Sequence, residues 1–298
     1  DLHSFPTRRS SDLNLWAEYM SMPEILPPEI LTAAEDAWGR AQEGQVHTGK
    51  NIGSAVIFGA LDGAVRKARE ESEIGFGALE VIANPEIKEL FKRDFEDYKA
   101  IFAEAGIDVP TPDELAQGGI DFGWLAELKR MWPGYDLVVA PLTLPQDTFE
   151  RIGCDWSMEG GVVSNWNGIM RDTVDNWRLT AVGDNKWTAF MLFNNEEPEE
   201  CGLSYDQITQ YGSAVPVVCY AAYQVHRIRQ GILPVDTDTR SWAAGRFVVG
   251  NDTYAPCVGW EIGPRDYMLV VDYCNASKGT EIVGLRSLMG DIAPARSG

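Results

Sequence analysis

Between Asn84 and Gly106 apolar residues recur at three- and four-residue steps: Ile87, Leu90, Phe91, Tyr98, Ile101, Phe102 and Ala105. That spacing lines one face of an α-helix. Asn84 stands at the N-cap and Pro85 at the first helical position, where a missing N–H costs nothing; Gly106 supplies the stop. Thr111-Pro112-Asp113-Glu114 has capping-box spacing and predicts a short helix. A further helix around Gly123–Met131 ends at Pro133-Gly134. Upstream, Glu29–Gln42 and Ile52–Glu71 also read as helices, the second with a small-residue side of Gly53, Ala60, Gly63 and Ala64. Residues 14–132 are therefore expected to form a helical region.

The period changes after Pro133-Gly134. Leu137–Ala140 is an apolar run of strand length, and Trp177, Leu179 and Ala181 alternate with Arg178 and Thr180. Trp187–Phe193 is apolar on both faces, as in a central strand. Trp156, Trp166, Trp177 and Trp187 recur every ten or eleven residues among the turn-like pairs Ser164-Asn165 and Asn167-Gly168. This predicts short strands, each with one aromatic anchor. Val182-Gly183-Asp184-Asn185-Lys186-Trp187 is echoed by Val249-Gly250-Asn251-Asp252-Thr253-Tyr254, which reads as two hairpin turns of similar chemistry. Between them lie the acidic loop Glu196–Glu200 and two helices. Ser204 and Gln207 form a capping box for the first; the second, Val215–Gln230, stops at Gly231. Strands at Arg246–Val249, Tyr254–Glu261, Tyr267–Tyr273 and Glu281–Leu288 complete the order. Residues 177–193 and 246–274 are expected in one antiparallel sheet, with helices 204–230 over one face. The predicted fold class is α+β: a helical N-terminal region, then a Trp-rich antiparallel-sheet domain with two inserted helices over 133–290, and a tail at 291–298.

Composition narrows the function classes. Of 298 residues, 45% are hydrophobic and 10% aromatic, ample for a packed core. The net charge of −20 argues against a nucleic-acid partner, because phosphate neutralisation needs clustered Lys and Arg. No apolar run approaches the ~20 residues of a membrane span. Residues 1–13 read as a translated sequencing adapter, which would put the native start upstream of Asn14. The five cysteines, Cys154, Cys201, Cys219, Cys257 and Cys274, show no C-x-x-C spacing; reduced thiols in the cytoplasm are expected. Cys257 and Cys274 sit on consecutive strands and could face each other.

Each apparent catalytic motif has a simpler account. Gly44-Gln45-Val46-His47-Thr48-Gly49-Lys50-Asn51 approximates a phosphate loop, but Asn51 stands where a hydroxyl must bind Mg²⁺, and a helix, not a strand, leads into it. Cys219, Tyr223 and His226 share a helix face, yet seven residues span ~10.5 Å of axis, too far for a thiol–imidazole pair. A buried face explains them better. Asp155, Glu159, Asp172, Asp175, Asp236, Asp238, Glu261 and Asp272 read as surface acids, and Asp236-Thr237-Asp238 lacks the rest of a calcium loop. Neither a cofactor, a metal nor a catalytic residue is called for. The sequons at Asn251 and Asn275 are expected by chance.

Flat aromatics beside amides and carboxylates suit a sugar-binding face. Trp166 between Asn165 and Asn167 fits that pattern, and the polar hairpin ends Asp184, Asn185, Asn251 and Asp252 could gather beside it. These residues are the expected binding site, with Trp166 as its exposed anchor and a protein or carbohydrate as partner. Trp177 and Trp187 are assigned to the core.

Trp177-Arg178, then Leu203-Ser204-Tyr205-Asp206-Gln207, then Val283-Gly284-Leu285-Arg286-Ser287 frame the C-terminal half, which resembles uncharacterised proteins of candidate-phylum bacteria. The resemblance follows the order strand pair, L-S-x-D-Q helix, long helix and strands ending near G-x-R. It implies no activity and transfers no site. The sequence reading is thus a non-enzymatic recognition or interaction protein. The alternatives are a carbohydrate-active or other hydrolase with paired carboxylates beside Trp166 and, behind it, a P-loop nucleotide hydrolase.

Overall fold

The computed structural model describes residues 85–131, 134–177, 181–182, 186–196, 198, 201–209, 213–263, 266–286 and 288–289. The expected helices Glu29–Gln42 and Ile52–Glu71, the Gly44–Asn51 loop, and Asp184 and Asn185 lie outside these residues.

The described residues begin with α1 (Pro85–Ala103), α2 (Pro112–Gln117), α3 (Phe122–Met131), β1 (Tyr135–Pro141), α4 (Thr148–Arg151) and β2 (Trp156–Met158). Then come α5 (Gly160–Asn176), β3 (Ala181–Val182), β4 (Trp187–Phe193), α6 (Tyr205–Ile208) and α7 (Val217–Arg229). Strands β5 (Arg240–Trp242), β6 (Phe247–Val249), β7 (Asp252–Gly263), β8 (Asp266–Asn275), β9 (Val283–Gly284) and β10 (Leu288–Met289) follow. The fold is α+β.

Local signals behave as expected in α1 and α2. Ile87, Phe91, Phe95, Tyr98, Ile101 and Phe102 bury one stripe of α1, and Gly106 at φ 71° ends the segment. At α2, Thr111 Oγ1 accepts the Glu114 amide at 3.2 Å while the Glu114 carboxylate accepts the Thr111 amide at 2.7 Å. This satisfies N–H groups that a helix start leaves unpaired.

Among the described residues two sheets form, not one. The first has the order β1-β4-β10, with β3 also paired to β4, all antiparallel. The second is mixed, in the order β2-β8-β7-β5-β9, with β6 also paired to β7. Strand β4 and the hairpin β7–β8 therefore lie in different sheets, correcting the expectation of a common one. The physical reason is α7. Every residue from Val217 to Arg227 is buried, and the helix packs on α1, β1 and β7. A helix buried on all sides lies between layers and does not cap one face. The two-sided apolar character of Trp187–Phe193 is met by helices: α2 and α3 contact β4.

A second correction concerns 160–176. Ser164-Asn165 and Asn167-Gly168 are not turns but lie inside α5, whose buried Val162, Trp166, Ile169, Met170 and Thr173 keep helical spacing. The tryptophan recurrence is consequently not a strand repeat. Trp156 is on β2, Trp166 in α5, Trp177 at the C-cap of α5 and Trp187 at the start of β4. The flanking strands of both expected hairpins pair, Val182 with Trp187 and Val249 with Asp252. The first pair encloses four residues, of which 183–185 lie outside the described residues, and the second only two. Gly250, at φ 64°, takes the first position of the two-residue turn. One core runs continuously from Ile87 to Val271, so α1–α3 share it with both sheets across residues 132–133. A smaller core gathers around Trp242, Tyr205, Leu203 and Cys257.

Candidate functional site

Where the C-terminal end of α5 meets α6 and the loop after β5, a cavity of about 320 Å³ opens, lined by Asp172, Asn176, Trp177, Tyr205, Thr209 and Arg246 among others. Its floor depends on Gly245. At φ 112°, a Cβ there would stand 2.6 Å from Ile169 Cγ2 and 2.9 Å from Ile169 O. Only glycine lets the loop rest directly on α5. Thr173 Oγ1 fastens the contact, donating to Ile169 O at 2.8 Å and lying 3.1 Å from Ala244 O.

The opposite wall is set by the capping box of α6. The Ser204 amide donates to Gln207 Oε1 at 2.9 Å, and Ser204 Oγ accepts the Gln207 amide at 3.2 Å. The first helical residue, Tyr205, is thereby fixed. Its hydroxyl accepts the Gly245 amide at 3.3 Å, and its ring stands edge-on to Trp242 at 5.7 Å. The Arg246 guanidinium lies 5.1 Å from the Tyr205 ring centre and pairs with Asp206 at 2.9 Å. Asn176 Nδ2 donates to Asp172 Oδ1 at 3.0 Å.

Burial raises the Asp172 carboxyl above its ordinary range, against the Arg246 amide and charge. Burial also pushes the Tyr205 hydroxyl up to about 12, so it stays protonated at neutral pH. The Trp177 indole N–H is buried without a hydrogen-bond partner among the described residues; its ring packs on Phe190 at 5.6 Å. Two aromatic side chains, a guanidinium, a carboxyl, an amide and hydroxyls thus converge on one small volume. They are suited to hold a polar ligand.

The expected site is placed differently. Trp166 is 6% exposed; its Nε1 donates to Leu144 O at 3.0 Å and its ring meets Phe149 at 5.7 Å. The expectation of an exposed anchor is corrected: Asn165 and Asn167 are polar because they occupy other sides of the same helix. Asn165 is half-buried and donates to Gly161 O at 2.8 Å, while Asn167 is exposed on α5. Asn251 and Asp252 are exposed at the β6–β7 turn. Asp184 and Asn185 lie outside the described residues. None of the hydrogen bonds among described residues joins the α5 group to the β6–β7 turn.

Asp236 is a further correction, because it is fully buried and not a surface acid. It accepts from Tyr220 Oη at 2.9 Å and Ser241 Oγ at 2.6 Å and pairs with buried Arg286. Cys219, Tyr223 and His226 do form a buried helix face. The Cys219 thiol points to Pro141 O at 3.7 Å, while His226 stacks on Tyr98 at 4.7 Å and lies 3.3 Å from Asp97. Among the described residues, no group of three or more His, Cys, Asp or Glu is placed to hold a metal. None of their helices is long and apolar enough to cross a membrane.

Sequence reasoning missed the cavity, although the Ser204–Gln207 capping box pointed to one wall. Comparison of the chain with protein-family models, curated proteins and solved structures finds no match among any of the three.

Proposed function

We propose that this chain is a non-enzymatic recognition protein whose ligand is a small polyhydroxylated molecule, of monosaccharide size, held in the Tyr205–Arg246 cavity. The observation that carries the reading is the pairing of Trp177 and Tyr205 with Arg246, Asp172 and Asn176 around about 320 Å³, the lower end of the volume range of small-molecule sites. The half-buried Trp177 ring supplies apolar surface for the C–H side of a sugar ring, while the Tyr205 ring, lying under Arg246, positions that guanidinium. Guanidinium, carboxyl and amide groups take its hydroxyls. The polar groups are already tied to neighbours, Arg246 to Asp206 and Asn176 to Asp172, which presets their geometry and lowers the ordering cost of binding. The burial of Trp166 removes support for a sugar platform or a hydrolytic centre at that residue. Free cysteines accord with a reducing, cytoplasmic setting.

The test is a panel of neutral sugars, amino sugars and sugar acids, read by tryptophan fluorescence and by melting temperature. A member of the panel should bind wild type, and Arg246→Ala should weaken it by about tenfold or more, the ~1.5–3 kcal/mol of a hydrogen bond to a charged group. Tyr205→Phe should weaken it less. A panel in which no sugar shifts either signal would end this reading.

A further inference from the structure

Cys257 on β7 and Cys274 on β8 share one face of the long hairpin. The register sets Cys257 opposite Asp272 and Ala255 opposite Cys274, so the two cysteines are diagonal neighbours. Their sulfurs stand 3.8 Å apart. Cys257 is fully buried in the smaller core, whereas Cys274 is partly exposed. One thiol can therefore be reached from solvent while the other waits directly behind it. Electrostatics sharpens the asymmetry. The hydrogen bond with Cys257 holds the Cys274 thiol below its ordinary range, with help from Arg240 and against burial and Asp272. The same bond, with burial next, pushes Cys257 up. The thiolate is the nucleophile in disulfide exchange, so attack begins at Cys274.

We propose that Cys257 and Cys274 form a dithiol site that a low-molecular-weight disulfide, such as oxidised glutathione, converts reversibly into a cross-strand disulfide. In the first step the Cys274 thiolate attacks one sulfur of the small disulfide. A mixed disulfide forms and one small thiolate leaves. Cys257 then loses its proton and attacks the Cys274 sulfur, expelling the second small thiolate. Overall, two protein thiols are oxidised, the small disulfide is reduced to two thiols, and the two protons pass to the departing thiolates. Diagonal positions across an antiparallel ladder stand about 7–8 Å apart at Cα, slightly beyond the usual span of a disulfide, so the two strands must shift a little to close the bond. The bond formed is consequently strained and easily reduced. The other thiols lack this arrangement: Cys154 and Cys219 are buried, and burial raises both.

The test uses the full chain carrying Cys201→Ser, which removes the exposed thiol and leaves four of the five cysteines. After native incubation with oxidised glutathione, the thiol count should fall from four to two. Peptide mapping should show Cys257 joined to Cys274, and reduced glutathione in excess should restore both. Adding Cys257→Ala should stop the reaction at a stable glutathione adduct on Cys274, with the circular dichroism spectrum confirming the fold. A lasting adduct on Cys274 with Cys257 present would overturn the proposal. So would two unreacted thiols at 257 and 274, or linkage of either to a different cysteine.

Discussion

Arg286 and Asp236 face each other as an ion pair with both side chains fully buried, where the two sheets and the central helix meet. Arg286 Nη1 also donates to Phe193 O at 2.7 Å and Asn195 O at 2.8 Å, at the end of β4. Asp236 accepts from Tyr220 on α7 and Ser241 on β5, and its carbonyl accepts the Trp260 amide of β7 at 3.0 Å. Asp236 holds this position at φ 58°, a left-handed conformation in which aspartate is among the tolerated residues. Taking both charges out of water costs several kcal/mol, offset only when the remaining donors and acceptors are paired. Here many of them are, which limits the net cost of burying the pair.

Removing one partner should therefore be severe. Arg286→Met leaves the Asp236 carboxylate buried and uncompensated, and an expected loss of about 3–5 kcal/mol follows. Asp236→Asn should cost a comparable amount. Combining the two should cost less than their sum, because the second change relieves the stranded charge of the first. Urea midpoints of the three variants decide it; additive costs would show that the two residues act independently.

Trp166 fills the core between α4 and α5 and satisfies its indole N–H on Leu144 O. Trp166→Ala should cost about 3–5 kcal/mol of stability. Trp166→Phe keeps most of the ring contact and loses the hydrogen bond, for about 1 kcal/mol from that bond. Thermal melts of both should rank in that order. A Trp166→Ala protein that melts like wild type would return this residue to the surface.

Much of this fold was legible because its signals are local. Thr111 with Glu114 and Ser204 with Gln207 each form a complete capping box, which needs only four consecutive residues. The α1 stripe likewise follows from short-range periodicity, whereas Cys257 and Cys274 are diagonal neighbours through the register of β7 and β8. What escaped detection depends on distant pairing. Arg286 lies fifty residues from Asp236, and nothing near Asp236-Thr237-Asp238 marks it as internal. Strand β4 pairs with β1 from Phe193 opposite Tyr135 to Trp187 opposite Pro141, and only that choice divides the strands into two sheets. In α5 the failure was local: helix-period burial at Val162, Trp166 and Ile169 competed with Asn-Gly turn chemistry, and packing decided. The cavity draws on Asp172, Tyr205 and Arg246 from three separate segments, so no motif contains it.

Gly245 offers a test of how α5 and the β5–β6 loop approach. Gly245→Ala places a methyl group against Ile169 Cγ2 and the Ile169 carbonyl, and its φ of 112° disfavours any side chain. A residue forced into such a conformation costs about 1–3 kcal/mol, and the clash adds to that. A clear fall in the urea midpoint is expected. Because the same loop carries Arg246, ligand binding should weaken beyond what partial unfolding explains. An unchanged midpoint would mean that the loop can lift from α5 without penalty.

His226 should give the protein an acid-sensitive step. Its ring lies 3.3 Å from Asp97 and 3.8 Å from Asp94, both on α1, with Lys129 of α3 on Asp94 and Asp136 of β1 paired to Arg227. The carboxylates favour a charged ring, but burial outweighs them and lowers the His226 pKa below 6.5. The folded protein thus holds the ring neutral, stacked on Tyr98 and hydrogen-bonded to Gln230 at 3.0 Å. Above pH 6.5 neither state binds the proton and the full stability is present. As pH falls through the interval between 6.5 and the folded value, the unfolded chain binds the proton first, so stability declines. Asp94 has the opposite sign: burial raises its carboxyl above 3.8, so acidification through its own window returns some stability. Urea midpoints of wild type should therefore drop below pH 6.5 relative to His226→Phe, which keeps a ring on Tyr98 and cannot titrate. Parallel profiles for the two proteins would show that His226 is protonated equally in both states.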